Sequence, residues 1–241
     1  MHFEPYPFEK LAELLKDITP NSDYPAISLT IGEPQFETPD FIQEAFKKNS
    51  ALLNKYPKSS GEAYVNDAQR NFVKKRFGVA LKSSELLCTF GTREVLFNFP
   101  QYLLHDKPNP VMAYTNPFYQ IYEGAAIASR ARTVHLNLTK ENAFKPDINL
   151  PALKEADLII LNFPNNPTTS VLSLEELGEW VKFALKYDIV LLNDECYSEI
   201  YVGEKPPSLL EASVHVGNES FKNVLVINSI SKRSSAPGLR S

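Results

Sequence analysis

The chain has 241 residues, 43% of them hydrophobic, and a formal net charge of −4. That length holds one large domain, or one and a fraction, with the composition of an ordinary globular protein. Mild acidity gives no electrostatic reason to expect nucleic acid or an anionic membrane as a partner, and no apolar run approaches the ~18 residues that span a bilayer.

Met1-His2-Phe3-Glu4-Pro5 has no charged leader before a long apolar core, so no secretory signal is expected and the expected compartment is the cytoplasm. Cys88 and Cys196 lie far apart and read as free thiols in a reducing environment. His2, His105, His135 and His215 lack ligand spacing, so metal chemistry is not expected.

In chain order, Phe8, Leu11, Leu14 and Leu15 predict a short helix. Segment 17–26, with Thr19-Pro20-Asn21-Ser22-Asp23 and then Pro25, reads as a connection between an N-terminal arm and the main body. A second helix is predicted with Thr38 as cap and Pro39 in its first turn, followed by Phe41, Ile42, Ala45 and Phe46. Glu62 to Phe77 predicts a third, with Val65, Ala68, Phe72 and Val73 on one side. Short apolar runs then follow at 86–90, 110–114, 133–136, 158–161, 189–192 and 224–227. Several are apolar at every position, the pattern of parallel strands covered on both faces. Between them, Ser173 and Glu176 predict a capping box, with Leu174, Leu177, Val181, Ala184 and Leu185 on one helical face. The expected fold class is α/β, a mostly parallel sheet with flanking helices.

In such sheets ligands bind beyond the carboxyl ends of the strands, and candidate residues follow each run. Gly91-Thr92-Arg93-Glu94 would open a helix whose N–H groups face an anion. Tyr119, after 110–114, could stack on a planar ring. Asn166 sits in the stiff turn Asn162-Phe163-Pro164-Asn165-Asn166-Pro167, placed to bond a ring oxygen. Asp194 is a carboxylate at a buried strand end, which needs a partner such as a protonated pyridine nitrogen, and Tyr197 stands three residues on. Lys232, in Ser229-Ile230-Ser231-Lys232 with Arg240 beyond it, suits a lysine that bonds covalently to a phosphorylated aldehyde while a hydroxyl and a guanidinium hold the phosphate. The obvious such aldehyde is pyridoxal 5'-phosphate. Each residue alone has a plainer reading: a turn, a core tyrosine, a salt-bridged aspartate, a surface lysine. Their joint order at successive strand ends favours the cofactor.

These motifs resemble the class I/II aminotransferases of pyridoxal-phosphate fold type I. The resemblance implies that Lys232 is the Schiff-base lysine, that Asp194 partners the pyridine nitrogen, and that Asn166 and Tyr197 bond the ring oxygen. It implies stacking by Tyr119, a phosphate cradle of Thr92, Arg93, Ser229 and Arg240, and Tyr56 reaching the phosphate of a neighbouring subunit, hence a homodimer. Gly32, in Ile31-Gly32-Glu33-Pro34, and Asn166 would lie beside the substrate, an amino acid or a 2-oxo acid. By the same likeness 1–35 is an N-terminal arm with part of a small domain, and 36–241 is the large cofactor-binding domain.

The stretches 4–11 (from Glu4-Pro5-Tyr6-Pro7), 91–94, 116–126 (from Asn116-Pro117-Phe118-Tyr119), 194–199 (from Asp194-Glu195-Cys196-Tyr197), 231–234 and 237–241 are similar to a narrower branch. That branch is the succinyldiaminopimelate aminotransferases of lysine synthesis. An aspartate or other amino-acid aminotransferase, or a lyase on the same fold, is the alternative. Two departures stand out. Thr169 occupies a position where the family usually has glycine, and a β-branched residue there disfavours positive φ, so the turn is expected to differ locally. The family also continues past Arg240 with another strand and a small domain bearing the arginine that grips the substrate carboxylate, so the resemblance implies a piece of a longer protein.

Overall fold

A run that is apolar at every position must be covered on both faces, and the strands of this chain are. The computed structural model describes residues 5–25, 27 and 32–240; Met1–Glu4, Ile31 and Ser241, which belong to stretches quoted above, lie outside them. Strands β1 (Val111–Asn116), β2 (Arg132–Asn137), β3 (Leu158–Leu161), β4 (Val190–Asp194) and β5 (Val224–Ile227) form one sheet in the order β2-β1-β3-β4-β5. Every neighbouring pair is parallel, with Ala113 opposite Ile159, Ile160 opposite Leu192 and Asp194 opposite Ile227.

Alternation along the strands divides the core in two. Val111, Ala113, Ile159, Leu161 and Leu191 point to one face. There they meet Trp180, Val181 and Ala184 of α6 (Leu174–Tyr187) and Leu209 and Ala212 of α7 (Leu209–His215). Met112, Tyr114, Leu158, Ile160 and Leu192 point the other way, against Leu96 and Leu104 of α4 (Thr92–Leu104) and Tyr122, Ala125 and Ala126 of α5 (Gln120–Ala128). Each such fully buried aliphatic side chain contributes about 1.5–3 kcal/mol over exposure, so the α/β/α layering follows from the sequence of the strands themselves.

The predicted capping box forms: Ser173 Oγ accepts from Glu176 N at 3.2 Å, and Ser173 N donates to Glu176 Oε2 at 2.8 Å. Helix α1 (Pro7–Leu15) and helix α3 (Ala63–Phe77) fall where their apolar spacing places them, although no residue of α1 is buried. No described helix is long and apolar enough to cross a membrane. Cys88 and Cys196 are both free thiols.

Three expectations are corrected. Leu86–Phe90 forms no strand. A strand needs a ladder neighbour, and among the described residues none lies beside β5 on its outer edge. Leu87 and Phe90 are instead 62% and 66% exposed, and a groove of about 860 Å³ separates 86–89 from β5. Second, Thr38 does not cap its helix. Its hydroxyl donates to the carbonyl of Ser235, and α2 (Asp40–Lys48) begins after Pro39 without a side-chain cap.

The third concerns Thr169, whose β-branched side chain was expected to disfavour the left-handed turn. Thr169 adopts it, with φ 61° and its N–H on Asn165 O at 2.9 Å. The Asn165 side chain stabilises the turn by accepting from Thr168 N at 3.1 Å and Thr168 Oγ1 at 2.7 Å. Because a β-branched residue is strained there, Thr169→Gly is expected to raise stability by roughly 0.5–1 kcal/mol, read as a higher urea midpoint at unchanged slope. A lower midpoint would show that the threonine methyl contributes more than its backbone costs.

Candidate active site

The carboxyl end of the sheet gathers most of the expected residues. Asp194 is the last residue of β4 and nearly fully buried. Its Oδ2 accepts from Tyr122 Oη at 2.9 Å and its Oδ1 from Cys196 N at 3.3 Å. No Lys or Arg lies at ion-pair distance from it among the described residues. Burial therefore raises its pKa, against the pull of the Cys196 and Tyr122 hydrogen bonds. Burial, with the Asp194 charge next, pushes Tyr122 well above its ordinary value, so this phenol is a fixed donor. Tyr122 has no role in the sequence reading. The available signal was its position three residues after Tyr119 on α5, which places both rings on one helical face, 5.9 Å apart and edge to face.

Asn166 and Tyr197 meet as expected, Asn166 Nδ2 donating to Tyr197 Oη at 3.1 Å. Burial raises the Tyr197 pKa, while the Asn166 bond lowers it. Tyr119 immediately precedes α5, and the Arg93 guanidinium lies 5.6 Å from its ring centre. Thr92 begins α4, with its hydroxyl 3.4 Å from Cys196 Sγ.

On the β5 side, Ser229 caps the short helix α8 (Ile230–Arg233), its Oγ accepting from Ser231 N at 3.0 Å. Half-buried Lys232 extends from that helix, and its Nζ donates to Gly32 O, which joins the two residues across the chain. Gly91 has φ 84°, and a Cβ there would overlap the Arg240 guanidinium, so only glycine permits this approach of Arg240 to the start of α4. Tyr56 stands apart: it is fully exposed.

This donor set fits pyridoxal 5'-phosphate. An anion would find the α4 amino terminus, Ser229 and Arg240 converging behind Gly91. A protonated ring nitrogen would supply the cation that buried Asp194 lacks. A ring oxygen would have Asn166 and Tyr197 as donors, and the ring plane would have Tyr119. A second tier lies beneath. Asn162 Nδ2 donates to Asp194 O at 2.9 Å, and Asn162 Oδ1 accepts from Asn166 N at 3.2 Å. One buried asparagine thus sets two of the site's turns, which no local spacing signals.

The family model for aminotransferases of class I and II matches residues 24–241. The LL-diaminopimelate aminotransferase of Aquifex aeolicus is 36% identical over 194 residues, 77% of this chain and 49% of that protein. Another LL-diaminopimelate aminotransferase, from Desulforudis audaxviator, is 34% identical over 87% of this chain and 54% of its own length. The chain spans about half the length of these curated relatives. The crystal structure of aminotransferase AspB from Helicobacter pylori superposes with a TM-score of 0.95 at 61% identity, over 100% of this chain and 64% of that one. Diaminopimelate thus appears in the relatives' names, though not in the succinylated form that the narrower resemblance implies. With that match over most of its length and a five-stranded parallel sheet carrying the expected groups at its carboxyl end, the chain belongs to the pyridoxal-phosphate-dependent aminotransferases of class I and II.

Proposed function

We propose that the protein of which this chain is all or part is an aminotransferase, with glutamate as amino donor and a keto acid of the diaminopimelate skeleton, N-succinyl-2-amino-6-ketopimelate, as acceptor. The observation that carries the reading is Asp194, a buried carboxylate with no cation at ion-pair distance among the described residues, at the strand end that also carries Asn166, Tyr197 and Tyr119. The diaminopimelate part rests on the motifs of 4–11, 91–94, 116–126, 194–199, 231–234 and 237–241 and on the relatives' names.

Pyridoxal 5'-phosphate, when bound, supplies an electron sink for the pair left when the substrate Cα–H bond breaks. Asp194 holds the proton on the ring nitrogen that makes the ring a sink. Asn166 and Tyr197 orient the ring through its oxygen, and Tyr119 stacks on its face. Thr92 and Arg93 with Ser229 and Arg240 hold the phosphate, and Tyr56 reaches the phosphate of a second subunit in a homodimer. Lys232 would hold the cofactor through its aldehyde group, and its Nζ would serve as the base that takes the substrate Cα proton and as the acid that gives it up again. Gly32 lies beside the substrate carboxylate, and 36–241 is the cofactor-binding domain.

The test is the near-ultraviolet and visible spectrum of the purified chain with pyridoxal 5'-phosphate, before and after each of four amino donors. These are L-glutamate, N-succinyl-LL-diaminopimelate, LL-diaminopimelate and L-aspartate. The bound-cofactor band is expected to shift with glutamate and with the succinylated donor, and to return with the matching 2-oxo acid. A response to LL-diaminopimelate or aspartate in place of the succinylated donor replaces the substrate reading and leaves transamination standing. A band that no donor moves overturns transamination itself.

A further inference from the structure

Glu195 is a fully buried carboxylate that the chemistry above does not use. Side chains alternate along an extended chain, so Glu195 points away from the side on which Asp194 meets Tyr122. One oxygen does all its bonding. Oε1 accepts from Leu209 N at 2.8 Å, from Asn193 Nδ2 at 3.0 Å and from Ser208 Oγ at 3.2 Å, while Oε2 is buried and has no partner among the described residues. Burying a carboxylate with one oxygen unsatisfied is costly, and three donors converging on the other make Glu195 a junction.

The junction reaches three turns of the site. Asn193 clasps the Phe163 backbone, its Oδ1 accepting from Phe163 N and its Nδ2 donating to Phe163 O, both at 3.1 Å; that residue opens the turn bearing Asn166. Glu195 N donates to Ile227 O at 2.9 Å, the last residue of β5 before Ser229 and Lys232. Glu195 O accepts from Ser198 N at 3.0 Å, beside Tyr197. Asn228 Nδ2 reaches Ser198 Oγ at 2.9 Å and closes the loop between the last two turns.

We propose that Glu195 is a positioning residue: by anchoring Asn193 and the Ser208–Leu209 turn on Oε1, it holds the turns bearing Asn166, Asp194 with Tyr197, and Ser229 with Lys232 in one register against the cofactor. This rests on the aminotransferase reading above.

The carboxyl also leaves a titration signature. Burial, reinforced by the charge of Glu211 on α7, raises its pKa to about 7 against the bonds from Leu209, Asn193 and Ser208. Arg76 on α3 lies outside this cluster, bound to Glu199 and to the carbonyls of Ser198 and Pro206. The folded-state value is above that of an exposed glutamate, so ionisation disfavours the folded chain. The stability margin is full below pH 4.5 and is lost as pH rises through about 7.

The experiment compares the wild type, Glu195→Gln and Glu195→Leu. Two quantities are followed in the full chain with pyridoxal 5'-phosphate: the dissociation constant, and the pH midpoint of the bound-cofactor absorbance. Glutamine keeps the Oε1 acceptor and is expected to keep both. Leucine leaves three buried donors unpaired, and is expected to weaken cofactor binding by about ten-fold and to shift the absorbance midpoint while the far-ultraviolet dichroism stays native. Thermal unfolding without cofactor is expected to lose, in Glu195→Gln, the part of its pH dependence between pH 4.5 and 7 that the wild type shows. Leucine with wild-type affinity and midpoint, or glutamine as impaired as leucine, overturns the positioning role. If the leucine variant does not fold, Ser208→Ala removes one donor and keeps the carboxyl, and an unmoved absorbance midpoint there overturns it equally. A wild-type chain without any bound-cofactor band overturns the aminotransferase reading and this proposal with it. A normal wild-type band with an indifferent leucine variant overturns this proposal alone.

Discussion

Lys232→Ala is expected to lower turnover by ~10⁴-fold or more while the chain stays folded and still binds the cofactor weakly. The fold should tolerate the change because Lys232 packs no core. It is half-buried on α8, and the cap of that helix belongs to Ser229, whose Oγ holds Ser231 N at 3.0 Å. What is lost is the amine that bonds the aldehyde and moves the Cα proton. Borohydride treatment followed by mass measurement should find the cofactor attached to the wild type and not to the variant, with equal thermal midpoints. Turnover near the wild-type rate would remove Lys232 from the chemistry. A collapsed thermal midpoint would make its bond to Gly32 O a structural one.

Asp194→Asn should act in opposite directions on the two forms of the protein. Without cofactor, Asp194 is a buried carboxylate whose pKa burial has raised and which no cation among the described residues balances, so an amide of the same shape relieves a cost. Thermal unfolding of the cofactor-free variant should therefore move to higher temperature near neutral pH. With cofactor the carboxylate would have its cation. Removing one partner of a buried pair typically costs about 3–5 kcal/mol, which is roughly 10²–10⁴-fold in rate if it falls on the transition state. The Tyr122 phenol can still donate to the new side-chain oxygen, while the longer bond from Cys196 N is lost because the amide nitrogen cannot accept it. A cofactor-free protein that melts lower, together with lost activity, would mark Asp194 as a structural residue.

The sheet and its covering helices were legible because their signals are local. β3 and β5 run from Leu158 to Leu161 and from Val224 to Ile227, as their uninterrupted apolar runs predict, and Ser173 with Glu176 marks the start of α6. Two of the misreadings were decided by distant groups and the third by a side chain within its own turn. Leu86–Phe90 has the composition of a strand but no ladder neighbour among the described residues. Thr38 has the position of a cap, but a carbonyl nearly two hundred residues away takes its hydroxyl. Thr169 adopts a conformation its side chain disfavours because the Asn165 side chain satisfies the turn from within. The same division runs through the site. Asn166 and Tyr197 could be placed from their motifs, whereas Tyr122 and Glu195 owe their importance to partners on other elements.

The outer edge of β5 has a consequence for how this chain behaves in a tube. Val224-Leu225-Val226-Ile227 is uncharged and β-branched at three of its four positions, with neither proline nor glycine to interrupt it. Among the described residues its outer edge has no ladder partner, and it faces an apolar groove lined by Phe72, Leu86, Leu87 and Phe99. Such an edge is a template for strand addition between molecules, the first step toward fibrils and amorphous precipitate. Lys222 and Asn223, just before the strand, are the polar gatekeepers that oppose it. Concentration-dependent turbidity, sharpened by Lys222→Ala and relieved by a lysine at Val226, would be its visible sign.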